Sequence, residues 1–178
     1  MEHIEIIFEN VPPKFLKEII NGHLKFNASD VISSHFYIPG REQIYGYADI
    51  NEWDTFFLEK GNGDIFIAKV DIGMQLENVV MLISPTMSNV DITINFTENQ
   101  FCAVDTKLAG ENLKKLLFNL MEISKTFNID NIVVGYEPVE DFDMKILEIF
   151  SNQHIVFYSN EFCSPTIQHL CQLWKSIL

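Results

Sequence analysis

A chain of 178 residues that is 47% apolar can bury one compact core and not two, so residues 1–178 are expected to form a single globular domain. Twenty-five acidic side chains against twelve basic ones leave a formal net charge of −13, which argues against a direct nucleic-acid partner because phosphate binding needs a basic footprint. A field of that sign instead attracts a cationic protein and speeds its encounter.

The N-terminus MEHIEIIFEN is charged and alternating, without the apolar core of a secretory leader, and the longest apolar runs, VVMLI and IVVGY, are too short to span a bilayer. A cytoplasmic chain with no membrane partner is expected. Ile4, Ile6 and Phe8 alternate with His3, Glu5, Ile7 and Glu9, the pattern of a half-buried strand. After NVPP, the residues Phe15, Leu16, Ile19 and Ile20 take helical spacing, with prolines at the start and Gly22 at the stop. VISSHFYI reads as extended, PG at 39–40 turns the chain, and QIYGYADI follows. DINEWDTFFLEKGNG carries a capping-box spacing from Asp49 to Glu52, apolar Ile50, Trp53, Phe56 and Phe57, and a glycine stop at Gly61. These predict a short helix, although the aromatics also suit a strand.

From 64 to 104 the period is two. In VDITINFT, Val90, Ile92, Ile94 and Phe96 face one way and Asp91, Thr93, Asn95 and Thr97 the other, as in an antiparallel meander with one wet face. TENQ turns the chain into FCAVD. The period then changes. Leu113, Leu116, Leu117, Leu120, Ile123 and Phe127 form one stripe of a helix from about 108 to 127, with Lys114, Lys115, Glu122 and Lys125 outside. Next come a strand at NIVVGY, a helix over 141–150 with Phe142, Ile146, Ile149 and Phe150 inward, and a strand at HIVFY. Ser164 and Pro165 open a last helix bearing Ile167, Leu170, Cys171, Trp174 and Ile177. The expected fold is α+β: a largely antiparallel sheet of about six to eight strands, helices packed on it, and a C-terminal αβαβα segment.

Cys102, Cys163 and Cys171 are odd in number and widely spaced, without a CxxC pair, so they read as buried free thiols and not as a disulfide or zinc framework. The chain holds no GxSxG, HExxH or cysteine-protease signature and no glycine-rich phosphate loop, and no cofactor is expected. Two stretches concentrate carboxylates. In GYEPVEDFDMKILEIF, Glu137, Glu140, Asp141 and Asp143 fall within seven positions. They can serve the dipole of the helix expected after them, offer a surface to a basic partner, or supply hard oxygens to Mg²⁺ or Ca²⁺, although no EF-hand spacing supports the last. In REQIYGYADINEWDTFF, Glu42, Asp49, Glu52 and Asp54 interleave with Tyr45, Tyr47, Trp53, Phe56 and Phe57. That mixture suits an interface against a basic protein, and equally a core-facing helix with a polar back. The candidate partner-binding residues are therefore Glu42, Tyr45, Tyr47, Asp49, Glu52, Trp53, Asp54, Glu137, Glu140, Asp141 and Asp143. No catalytic or metal-ligating residue is assigned. The competing readings are a small metal-dependent or acid–base enzyme using Glu137, Asp141 and Asp143, and an adaptor domain.

In FTENQFCAVDTKLAGENLKKLL and IVVGYEPVEDFDMKILEIF, and in its general character as a small acidic α+β chain without a catalytic signature, the sequence resembles the immunity proteins of bacterial polymorphic and contact-dependent toxin systems. The resemblance implies a non-enzymatic protein that binds a cognate toxin, often a basic nuclease, and occludes its active face with carboxylates and aromatics. It carries over no residue roles. A monomer or weak homodimer is expected.

Overall fold

A computed structural model describes residues 3–100, 106–139 and 144–158, together with Gln168, Gln172 and Lys175. Its strands are β1 (His3–Val11), β2 (Val31–Tyr37), β3 (Ile44–Tyr45), β4 (Asn62–Asp71), β5 (Gln75–Pro85), β6 (Val90–Thr97), β7 (Asn131–Tyr136), β8 (Lys145–Phe150) and β9 (Ile155–Phe157). Helices are α1 (Leu16–Glu18), set between a 3-10 turn at Pro13–Phe15 and a π turn at Ile19–His23, α2 (Trp53–Leu58) and α3 (Thr106–Phe127). The strands make one sheet in the order β3-β2-β4-β5-β6-β1-β7-β8-β9, and every pairing in it is antiparallel. The α+β reading holds, with nine strands among the described residues where about six to eight are expected.

Register explains the core. Ile4, Ile6 and Phe8 lie opposite Phe96, Ile94 and Ile92 on one side and Tyr136, Val134 and Ile132 on the other, so the central strands stack one apolar face. Leu113, Leu116, Leu117, Leu120, Ile123 and Phe127 of α3 are buried in the same core. Each such side chain stabilises the fold by roughly 1.5–3 kcal/mol. At the β2 end, Phe36 meets Trp53, Phe56 and Phe57 edge-on at 5.7, 6.2 and 6.4 Å between ring centres, and this seats α2 on the sheet.

Three local expectations need correction. The second face of β1 is not wet: Glu5 and Ile7 are buried, because β6 and β7 flank the strand and Val139 folds back over it. The Val139 amide donates to Glu5 Oε2 at 2.9 Å. The helix expected over 141–150 is not formed, since 145–150 is β8, paired with β7 and β9. Val134 lies opposite Leu147 while Gly135 lies opposite Lys145, so Ile146 is an extra, bulged residue. Ile146 and Leu147 are consequently both buried, and two adjacent apolar positions imitate helical spacing. The C-terminal segment is thus α3-β7-β8-β9, not αβαβα, with Gln168, Gln172 and Lys175 helical beyond it. Third, Asp49 does not open α2: it closes a separate 3-10 turn at Tyr47–Asp49, its Oδ2 accepting the Gly46 amide at 2.8 Å, and Glu52 precedes α2. Cys102, Cys163 and Cys171, the FCAVD stretch and the Ser164–Pro165 helix start lie outside the described residues. Among those described, no helix is long and apolar enough to cross a membrane.

Candidate functional site

The chain leaves β2, turns at Gly40 with φ +84° and returns as β3, the two-residue edge of the sheet. The 3-10 turn and α2 then fold back beside that edge. Between them lies a cleft of about 450 Å³ with Ile38, Tyr45, Ile50 and Phe56 as its apolar part and Arg41, Asp49, Glu52 and Glu59 among its polar lining. Arg41 Nη2 sits 2.9 Å from Glu59 Oε2, an exposed pair worth at most about 1 kcal/mol. Tyr47, in the 3-10 turn, is fixed at both ends: its amide donates to Ser34 Oγ at 2.8 Å and its hydroxyl to Asn21 Oδ1 at 2.9 Å. Burial pushes its phenol pKa above the usual tyrosine value, so it remains a neutral donor at physiological pH.

Of the residues singled out in REQIYGYADINEWDTFF, Glu42, Asp49, Glu52 and Asp54 are exposed, and none forms an ion pair among the described residues. Tyr45, which lines the cleft, and Tyr47, which does not, are both half-buried. Trp53 is only 7% exposed, stacked on Phe57 at 5.9 Å, and offers almost no surface to a partner. Glu137 is exposed at the far end of β7, 3.7 Å from His3 Nδ1. It lies six strands from β3, about 29 Å across the sheet at roughly 4.8 Å per strand, so the two acidic stretches are not brought together. Glu140, Asp141 and Asp143 lie outside the described residues. Among those described, no three His, Cys, Asp or Glu side chains converge as metal ligands.

Pairing also assembles charged groups that sequence spacing does not reveal. Glu148 is buried on the face of the sheet opposite α3, where Lys145 Nζ donates to its Oε1 at 2.5 Å and the Tyr158 hydroxyl to its Oε2. Burial alone would raise the Glu148 pKa, but these two hydrogen bonds and the lysine charge outweigh it and hold the carboxyl below its usual range. Burial and the neighbouring carboxylate push Tyr158 up to about 12. Glu9, on the same face, accepts from Asn131 Nδ2 at 3.2 Å, yet burial pushes its pKa up and Asp91 adds to that. The single sequence signal of this network is a charged residue at an inward position of an otherwise apolar strand. Its carboxylates are engaged by neighbouring side chains, which fits a structural role. A second cleft, of about 390 Å³, opens at the other end of the sheet and is polar, lined by Gln75, Glu77, Asn78, Thr97, Asn99 and Gln100.

Residues 2–153 match the family described as PABL017 Cdi1I immunity protein. Among solved structures, the fold is similar to a chain in the crystal structure of the toxic C-terminal tip of CdiA from Pseudomonas aeruginosa in complex with immune protein. That likeness has a TM-score of 0.58 and 18% identity, and covers 83% of this chain and 94% of that one. No curated protein matches.

Proposed function

The chain belongs to the PABL017 Cdi1I immunity protein family, and from that premise we propose that it neutralises the toxic C-terminal tip of a CdiA-type toxin by binding it. Membership gives it an inhibitor's role and not an enzyme's, and sets aside the metal-dependent alternative at Glu137, Asp141 and Asp143. The family match over 2–153 is the observation that carries this reading, and the net charge of −13 supports a basic toxin as partner. Inhibition works by occlusion. Asp49 and Glu52 in the edge cleft, with the exposed Glu42 and Asp54 of the same stretch, pair with lysines and arginines of the toxin's substrate groove, while Tyr45 and Tyr47 supply aromatic surface. Glu137, followed in sequence by Glu140, Asp141 and Asp143, is the second acidic zone available to the complex. The protein acts in the cytoplasm, where an incoming toxin tip meets its substrate.

The test uses the full chain and the toxin tip encoded beside it. Titration calorimetry is expected to give saturable binding, and the tip's activity is expected to fall to zero at equimolar immunity protein. A tip that is not bound, or that stays active when saturated, rejects the reading.

A further inference from the structure

Four of the eight large apolar side chains exposed among the described residues lie on one face of adjacent strands: Tyr37 at 47% exposure, Ile44 at 68%, Val80 at 36% and Leu82 at 37%. Register fixes that face. His35 lies opposite Asp64, Asp64 opposite Leu82 and Leu82 opposite Thr93; one row along, Ser33, Phe66, Val80 and Asn95 pair in the same succession. Tyr37, two residues from His35, lies opposite Ile44. Side chains opposite one another on paired strands share a face, and successive ones alternate, so Phe36, Ile65, Met81 and Ile94 point the other way, into the core. The edge cleft is on that core side too, because Tyr45 lies opposite Phe36 and both rings meet Phe56 of α2.

Farther across the sheet the same face is closed. Thr93 lies opposite Ile7 and Ile7 opposite Val133, and Val139 packs with both, so all three of these apolar residues are buried. The chain covers the β1–β7 part of the face with its own Val139 and leaves the β3–β2–β4–β5 part exposed. Exposed apolar residues scattered singly mean little, but contiguous rows of them mark an interaction surface. Charge beside these rows is nearly balanced: Asp64 Oδ2 sits 3.2 Å from His35 Nδ1, and at the border Glu77 Oε1 sits 3.5 Å from Lys69 Nζ. Asp49 and Glu52, which line the cleft on the core side, have no paired base among the described residues, so a basic partner is drawn there instead. A second copy of this chain suits the open face. A two-fold axis lays the apolar rows on their own image, and two bodies that each carry a charge of −13 make contact with least repulsion where each is locally neutral.

We propose that the open face of β3, β2, β4 and β5 is a self-association surface, on which two copies pack sheet to sheet about a two-fold axis, with Phe66, Val80 and Leu82 at its centre and Tyr37 and Ile44 at its border. Its size sets its strength. Strands β3 to β6, roughly 4.8 Å apart, and three side-chain rows, about 6.7 Å apart, span on the order of 250 Å², about a third of the ~800 Å² per partner of a standard interface. The dimer is therefore weak, with a Kd on the order of 0.1 mM. Both edge clefts face away from it, so each copy keeps its cleft for a toxin tip.

The test is sedimentation velocity of the full-length protein alone. A monomer is expected at about 5 µM and mainly a dimer at about 500 µM. The Kd is expected to fall at least about threefold between about 0.1 and 0.5 M NaCl, because salt screens the repulsion between two acidic bodies. Leu82→Glu sets like charges across the axis and is expected to give a monomer at every concentration. Val80→Thr with Leu82→Thr puts in β-branched residues that suit a strand, removes apolar contact, and should raise the Kd at least about tenfold; this pair decides the matter if Leu82→Glu does not fold. Phe118→Ser, exposed on α3, should leave the Kd unchanged. A parent that stays monomeric at about 500 µM in both salts, a threonine pair that dimerises as the parent does, or an equal loss in Phe118→Ser overturns the proposal. No toxin is present in these measurements, so their failure is distinct from failure of the toxin-binding reading. With the toxin tip added, the threonine pair should bind it with the parent's Kd; weaker binding would put the toxin on this face and overturn the proposal as well.

Discussion

Trp53 stands among carboxylates in sequence and among aromatics in space, and its two neighbourhoods predict opposite phenotypes. Trp53→Ala removes a buried indole from contact with Phe36 and Phe57, and should cost about 3–5 kcal/mol in urea unfolding. Asp54→Asn, one position on and exposed, should change stability by less than about 0.5 kcal/mol and weaken toxin binding instead. Glu148, buried, and Glu9, half-buried on the same face, likewise divide by sign. The Glu148 pKa is depressed in the folded protein, so its contribution is present above the unfolded value of about 4.3 and is lost as pH falls through the folded value. Glu148→Gln removes the charge that Lys145 and the Tyr158 hydroxyl engage, so it should lower stability at pH 7, and the difference should shrink as pH falls below the unfolded value of about 4.3. The Glu9 pKa is raised, so its carboxylate opposes folding above the folded value, and protonation relieves it. Glu9→Gln should therefore raise the melting temperature at pH 7 and make no difference below about pH 4. Melting curves of both variants across pH 3–8 check the two signs, and a loss of stability at pH 7 in Glu9→Gln would contradict the second.

Among the elements, α3 and β6 are legible in sequence because each buries one face. The 3.6-residue stripe from Leu113 to Phe127 and the strict alternation from Val90 to Phe96 come straight from that asymmetry. β8 is not legible, because the bulge at Ile146 interrupts alternation and Leu147 and Ile149 face one side while Glu148 is buried on the other. The candidate site divides in the same way. Its carboxylates and tyrosines cluster within REQIYGYADINEWDTFF, but the cleft also takes Ile38 and Arg41 from the turn after β2 and Glu59 from the end of α2, which only the fold-back of α2 beside β3 brings together. Packing between elements is equally silent in the sequence at Gly73. It turns β4 into β5 with φ +99°, and a Cβ there would lie 2.5 Å from the Lys115 carbonyl oxygen of α3. Gly73→Ala adds backbone strain and pushes the turn off the helix, so calorimetry should show a loss of about 2–4 kcal/mol. Unchanged stability would mean that the turn is not seated on α3.

At the scale of the whole molecule, the charge of −13 acts at a distance that no single contact reaches. Exposed charges are felt over about 10 Å at 0.1 M salt and about 3 Å at 1 M, so salt should act on encounter with a basic toxin and much less on the seated complex. Glu42, Asp49, Glu52 and Asp54 are exposed and are the carboxylates proposed to meet the toxin, so their charge is expected to act on approach more than on dissociation. Raising NaCl from about 50 to 500 mM should lower the association rate for the toxin tip at least about tenfold and change the dissociation rate less than about threefold. Glu42→Gln with Asp54→Asn should flatten the salt dependence of association and leave dissociation close to the parent's. An association rate that ignores salt would show that the partner is not basic, and would detach the acidic composition of this chain from its role as an inhibitor.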